Sequence, residues 1–591
     1  MEQQNTDWQD RGTDLRLLGP PWLTVESGLY VLFLILGAFL RLYALSTQPL
    51  QEEEARLALD AWHFSGGGVA QIRGHSPLLF HAGALSYLLF GTRDFVIRLF
   101  PALAGTSMVG LPYLLRPQLG RRGALAASAL LAVSPSFVFF SRQANGDIVL
   151  AAALLALISG LFGYGRGDNS RQLYIVSAAL AIAVLASGAT LVPLLVLAGF
   201  WLAPIVYSRL TRKSASSSLQ QWLSERPHRT TALRALGLFA ALAALMATGL
   251  LVNLHGLQAA LDLFSGWLAR FAPVADPLPW HYYLSLLLVY ELPILVFGVA
   301  GASYLWRRDT FSTFLVCWLG VSLLLYSLMG NKPPSGILLI LLPLTLLAGR
   351  AIADLLYLVR ESQQWAWTRL LVLICLPALF LLLIQLAAFG DPNNPGDPRN
   401  LMLALLSLFF IACLVLTAGL LALDWRSAIR SGGLVALVLL GGLMFRSSWR
   451  LNQAVPANAF EILSAKTTCG DVRNLTRALE DLSNQQEGQR HTIDIAVTGG
   501  EDPLLAWYLK DFKDLSFVSE VSSAPPRVVI TPFPASENLP NYTGARYRLQ
   551  SSWRGEGLMG HDLVNWYLFR ESLQPPTHTE VVMWVAPEQE D

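Results

Sequence analysis

Pro77-Leu78-Leu79-Phe80-His81-Ala82-Gly83-Ala84-Leu85-Ser86-Tyr87-Leu88-Leu89-Phe90 is the stretch whose reading decides the fold. It is apolar enough to enter a bilayer, but a crossing helix needs about 20 residues. At this length it reads as a re-entrant or interfacial helix. Longer apolar runs surround it, near 27–45, 95–115, 123–140, 148–165, 172–188, 189–207, 232–252, 282–304, 310–329, 336–352, 369–389, 400–423 and 430–446. That predicts about 13 transmembrane helices. With 77–90 not crossing and the N-terminus cytoplasmic, the inner loops collect 18 lysines and arginines, among them Arg166, Arg212, Lys213 and Arg226. The outer loops collect seven: Arg56, Arg73, Arg93, Arg142, Arg270, Lys332 and Arg399. Cytoplasmic loops are the positive ones. A crossing at 77–90 would invert this bias for everything downstream.

The composition agrees with a bilayer setting. Of 591 residues only 14% are charged, 53% are hydrophobic and mean hydropathy is +0.46. A soluble domain carries about 25% charge. An ordinary soluble enzyme and a disordered chain are therefore excluded. A net charge of +1 argues against nucleic acid as a partner. The four cysteines offer neither a disulfide framework nor a CxxC zinc site.

The charge is also uneven. Residues 446–591 hold 32 of the 83 charged side chains, which marks a water-soluble tail. Three regions follow: a cytoplasmic N-terminal segment, 1–26; a transmembrane domain, 27–446, with an outer interfacial loop at 46–94; and an extracytoplasmic soluble α/β domain, 447–591. The N-terminal segment lacks a basic signal-peptide n-region, so the first span is expected to stay as an anchor. Within the tail, helices are expected near 471–486 and 503–512. Strands are expected at 491–498, 515–519, 527–531 and 580–586.

The unusual polar residues gather in the outer loops. Pro49-Leu50-Gln51-Glu52-Glu53-Glu54-Ala55-Arg56 follows the first span and opens a helix-prone segment. Three successive carboxylates suit a helix N-terminus through its dipole. They also suit the handling of a cation or a proton. Gly74-His75-Ser76-Pro77 opens the short interfacial helix, and His75 reads either as a hydrogen-bonding residue or as a ligand. Asp147 directly precedes a span, where a helix cap explains it as well as a site does. Arg142 fits a snorkelling arginine. Lys332 sits on an outer turn, Gly330-Asn331-Lys332-Pro333. Glu291 lies about ten residues into the span at 282–304, where an ionisable group is a functional candidate or a partner for backbone freed by Pro293.

These residues resemble a family. Pro49…Glu53-Glu54-Ala55-Arg56 is similar to the acidic motif after the first span of GT-C membrane glycosyltransferases, the clan of protein O-mannosyltransferases, aminoarabinose transferases and family-39-like proteins. His75-Ser76-Pro77-Leu78-Leu79-Phe80-His81, Leu89-Phe90-Gly91-Thr92-Arg93-Asp94-Phe95 and Leu131-Ala132-Val133-Ser134-Pro135-Ser136-Phe137…Ser141-Arg142…Asp147 extend the likeness. It is dense over about 30–165. Ala506-Trp507-Tyr508-Leu509-Lys510-Asp511-Phe512 continues it in the tail. The flippase-activity-associated branch is the nearest.

The resemblance implies a GT-C fold, an external active site in the plasma membrane and a polyprenyl-phosphate sugar as donor. The acceptor would be a protein or glycan, and a membrane protein partner is possible. Glu53 maps onto the first-loop acid, as catalytic base or as carboxylate of a divalent cation (Mg or Mn), with Glu54 and Asp147 in support. Arg56, His75, Arg142 and Lys332 are the substrate-binding candidates. The sequence departs from the pattern in four places: Glu53 stands for Asp, Leu57 for a first-loop His, Ala144-Asn145-Gly146-Asp147 for Ala-Arg-Asn-Asp, and Asn331 with Ser335 for an acid and a Trp. These departures leave a non-catalytic GT-C-like subunit, or a lipid-linked-sugar handling protein, as the alternative.

Overall fold

The computed structural model describes residues 24–587 apart from 69–71, 73, 165–169, 212–228, 361–364, 390–395, 418–424, 455–457, 465, 521–525, 535–538, 540–541, 556–557 and 573. Residues 1–23, Arg73, Arg166, Arg212, Lys213 and Arg226 lie outside the described residues. The outer loop begins where helix α1 (Val25–Leu42) ends, and carries α2 (Glu52–Ser65) and α3 (Pro77–Phe90). Ser76 caps α3 by accepting from the Leu79 amide, Pro77 occupies the first turn, and Gly91 closes the other end at φ 78°. At 1.5 Å per residue this helix reaches about 21 Å, short of the hydrocarbon core.

The spans follow as α4 (Asp94–Gly110), α5 (Arg121–Val133), α6 (Pro135–Ser141), α7 (Gly146–Tyr164), α8 (Ser170–Ala186), α9 (Leu191–Thr211) and α10 (Arg229–Ala247). Next come α11 (His255–Ala269), α12 (Tyr282–Tyr290), α13 (Leu292–Leu305), α14 (Thr310–Leu328), α15 (Ile337–Arg360), α16 (Trp365–Phe389), α17 (Pro398–Thr417) and α18 (Trp425–Trp449). Each of the 13 expected stretches holds helix. Among the described residues seven helices are long and apolar enough to cross, or nine when each bent pair counts as one span; the rest are shorter apolar helices. The stretch around α15, Pro334–Val359, is 94% buried and forms the bundle's centre, whereas α10 is 11% buried and faces outward.

Two spans are broken. At Ser134-Pro135, α5 and α6 meet at 58°, and at Glu291, α12 and α13 meet at 111°. Both breaks follow from proline. Pro135 and Pro293 lack an amide hydrogen, and their rings clash with the carbonyl one turn back. Glu291 was expected inside a continuous span. It sits instead at the corner between two helices, because Pro293 ends α12.

The tail forms a six-stranded mixed sheet ordered β1-β5-β6-β4-β2-β3. Its strands are β1 (Thr467–Thr468), β2 (Ile495–Thr498), β3 (Leu515–Val518), β4 (Val528–Phe533), β5 (Thr543–Ser552) and β6 (Thr577–Val585). β2 runs parallel to β3 and β4, and the other pairs are antiparallel. Helices α19 (Asp471–Glu487), α20 (Pro503–Tyr508) and α21 (Gly560–Phe569) accompany it. Val472, Leu475 and Leu479 of α19 pack on Ile495, Val528 and Ile530 of the sheet. The last span and its final turn reach Gln453, and the first strand begins at Thr467.

Candidate active site in the first outer loop

The three successive carboxylates at the start of α2 have three different environments. Glu52 faces the C-terminal domain, accepting from Gln550 Nε2 at 3.2 Å, and pairs with Arg56 at 3.4 Å on the surface. Glu54 points inward and is 4% exposed. It holds Arg98 of α4 at 2.5 Å and accepts from the amides of Gln51 and Ala144 at 2.9 and 2.7 Å. Glu53 is exposed, and its side chain makes no hydrogen bond or ion pair among the described residues.

Arg98 is 1% exposed and has a second task. It donates to the carbonyls of Leu45, Gln48 and Pro49 at 3.1, 2.7 and 2.9 Å. The backbone that leads into Glu53 is thus tied down by a buried, neutralised arginine.

Other outer-face candidates are engaged with backbone. Arg142 donates to the carbonyls of Leu40, Arg41, Tyr43 and Ala44 at the end of α1, of which Leu40 also accepts from Gln453 Nε2 and Ala44 from the Thr47 amide. Arg41 does the same for α5, taking the carbonyls of Leu131 and Ala132 at 2.8 and 3.2 Å, which Pro135 leaves without donors. It also reaches Ser141 Oγ at 3.2 Å, next to Gly105, where a Cβ would lie 2.0 Å from that oxygen. Across the same break, Glu291 accepts from Ser134 Oγ at 2.7 Å and from the Ser136 amide at 2.8 Å, so a carboxylate caps α6. Lys332 donates to the carbonyls of Met329 and Leu278 at 2.6 and 3.0 Å.

Asp147 lies in the first turn of α7, where Asn145 Oδ1 caps its amide at 2.7 Å. The capping role therefore belongs to Asn145, and the Asp147 carboxylate accepts from Ser187 Oγ at 2.5 Å. Ser187 opens the tight turn between α8 and α9. His75 pairs with Asp60 at 2.8 Å, and its neighbour Ser76 donates to the Leu185 carbonyl at 2.7 Å. Glu54, Asp147 and His75 are thereby joined through Ala144, Ser187 and Leu185 into one neighbourhood, while Glu53 stays exposed at the start of α2. Arg56 lies on the surface with Glu52.

One cation was missed in the sequence. Arg270, just past α11, is tied to the Lys332 turn, where its carbonyl accepts from the Asn331 amide at 3.0 Å. Its guanidinium has no hydrogen-bond or ion-pair partner among the described residues. The only sequence signal was its place in an outer loop, which it shared with six others. No three His, Cys, Asp or Glu side chains converge as a metal site among the described residues. A divalent cation there would take Glu53 as its protein carboxylate and further ligands from phosphate and water.

Comparisons with known proteins bear on the fold. Residues 74–220 match the family model described as dolichyl-phosphate-mannose-protein mannosyltransferase. The chain is 35% identical over 127 residues to an undecaprenyl phosphate-alpha-4-amino-4-deoxy-L-arabinose arabinosyl transferase of Pseudomonas fluorescens, covering 21% of this chain and 23% of that protein. It is 28% identical over 391 residues to the Pseudomonas aeruginosa enzyme of that name, covering 63% of this chain and 64% of that protein. The structure of ArnT from Cupriavidus metallidurans bound to undecaprenyl phosphate superposes with a TM-score of 0.53 at 14% identity, covering 95% of this chain and all of that one. The chain is therefore a multi-pass membrane protein with the GT-C fold of that transferase, carrying a soluble C-terminal α/β domain.

Proposed function

We propose that the protein transfers a sugar from a polyprenyl-phosphate donor to a hydroxyl-bearing protein or glycan acceptor on the outer face of the plasma membrane. One observation carries the reading: of three adjacent carboxylates, two are engaged and the middle one, Glu53, is left open on a fixed helix end. A base must be ionised, reachable and held still. Arg98 and Glu54 supply the last condition.

The acceptor oxygen attacks the anomeric carbon while the bond from that carbon to the phosphate oxygen breaks, and the electron pair leaves with the lipid phosphate. Glu53 takes the acceptor proton. Arg270 faces the charge that develops on the phosphate. Asp147, held by Ser187, and His75, held by Asp60, serve as contacts for the sugar. Arg142 and Lys332 enter as supports of the backbone around the site.

The purified protein, incubated with a panel of polyprenyl-phosphate sugars, should release lipid phosphate, and Glu53→Gln should not. Full transfer by Glu53→Gln would sink the assignment. A non-catalytic lipid-handling subunit is the second reading, favoured by the engagement of Arg142 and Lys332 with carbonyls. It expects the donor to bind and no lipid phosphate to appear with any sugar.

A further inference from the structure

The C-terminal domain does not merely sit beside the first outer loop. Arg473 of α19 donates to the carbonyls of Ser46, Thr47 and Gln48 at 2.7, 3.1 and 3.4 Å, and pairs with Asp94 at 2.6 Å. Asp94 also accepts from Trp507 Nε1 and Tyr508 Oη of α20, both at 2.9 Å. The Tyr508 oxygen in turn accepts from the Leu50 amide at 2.9 Å. Gln51 Oε1 accepts from the Thr468 amide at 3.1 Å, and Glu52 is bonded by Gln550. Residues 46, 47, 48, 50, 51 and 52 are therefore held by the tail from one side. Arg98 holds 45, 48 and 49 from the other. The Gln48 carbonyl is shared by both arginines.

The same domain reaches the loop that carries Arg270. Arg554 pairs with Asp276 in that loop, and further on Tyr290, at the end of α12, donates to Glu461 at 2.6 Å.

We infer that the C-terminal domain sets the spacing between the acidic and cationic halves of the site, with Arg473 and Asp94 as positioning residues for Glu53. This rests on the transferase reading above. The domain is a gauge: it grips the backbone ahead of Glu53 with one set of contacts and meets the Arg270 loop through the Arg554–Asp276 pair. Displacing a catalytic group by about 1 Å costs up to about 100-fold in rate. Loss of the Arg473 fork should act on turnover, because Arg473 and Asp94 are both taken up by contacts within the protein.

The test compares Arg473→Ala, Arg473→Lys and Asp94→Asn in the full-length protein in nanodiscs. Two measurements are made: kinetics with a polyprenyl-phosphate sugar, and amide hydrogen exchange over residues 45–54. For Arg473→Ala, kcat should fall about tenfold or more with donor KM within about twofold, and exchange over 45–54 should rise. Arg473→Lys keeps the charge beside Asp94 without the fork over three carbonyls, and should recover part of kcat. Unchanged exchange in Arg473→Ala would overturn the inference. So would faster exchange with unchanged kcat, or a fall in kcat matched by a rise in donor KM. If the wild-type protein transfers no sugar, the catalytic reading fails by itself and the positioning of Glu53 for transfer falls with it. Exchange data then report only whether the tail holds the loop.

Discussion

Glu54 and Arg98 form a buried pair, 2.5 Å apart, one helical residue away from an open carboxylate of the same type. Chemically alike neighbours therefore have opposite roles. Removing one member of a buried ion pair costs about 3–5 kcal/mol, since the other charge stays buried. Glu54→Gln should lower the melting temperature and expression sharply, with activity lost through misfolding. Glu53→Gln should melt like the wild type and lose transfer. Thermal unfolding in detergent, read beside lipid-phosphate release, separates the two.

Arg270→Met tests the cationic half. Its guanidinium has no partner among the described residues, so its removal should leave stability unchanged. Loss of one phosphate contact should weaken donor binding about 10–100-fold, or about 1.4–2.8 kcal/mol. Donor titrations by microscale thermophoresis would show it. Unaltered affinity would move the phosphate elsewhere.

Arg142 presents the reverse case. A lysine there keeps the charge but cannot fork across the carbonyls of Leu40, Arg41, Tyr43 and Ala44. Arg142→Lys should cost about 1–3 kcal/mol of stability, the range for buried acceptors left without donors. Donor affinity should stay within about twofold of wild type, an outcome opposite to that of a phosphate ligand.

The pattern of legibility has a physical cause. Spans, the short α3, the turn at Ser187 and most of the tail follow from length, apolar run and punctuation, which are local properties. Strand β5, Thr543–Ser552, was missed because Thr543 to Arg546 are exposed and show no alternation. Sidedness placed Glu53, Arg142, Asp147 and Lys332 in the outer loops, but sidedness is a one-dimensional property. Whether Arg142 meets a phosphate or four carbonyls depends on where α1 ends in space. The roles of Asp94, Trp507 and Tyr508 stayed hidden for the same reason, since their contacts span more than 400 positions.

Lys332 allows a pH test. Burial pushes its ammonium below the usual lysine value of 10.5. The folded protein therefore gives up this proton at lower pH than the unfolded chain does. Between those two points the unfolded chain binds more protons, so stability rises with pH. The charged form costs stability at neutral pH, and that cost fades as pH climbs toward 10.5. The melting temperature of wild type should therefore gain on that of Lys332→Met as pH rises from neutrality toward 10.5. Parallel curves would mean a solvated ammonium, available to a substrate.

The capped breaks in the bundle also form a closed mechanical linkage. Glu291, at the corner of α12 and α13, holds the start of α6. Arg142, at the end of α6, holds the end of α1. The end of α1 runs directly into the loop gripped by Arg98 and Arg473. A push on the α12–α13 corner would therefore reach the residues ahead of Glu53 without passing through the C-terminal domain. The loop ahead of Glu53 is anchored along two routes that share no residue, so cutting either one should loosen it and leave it in place.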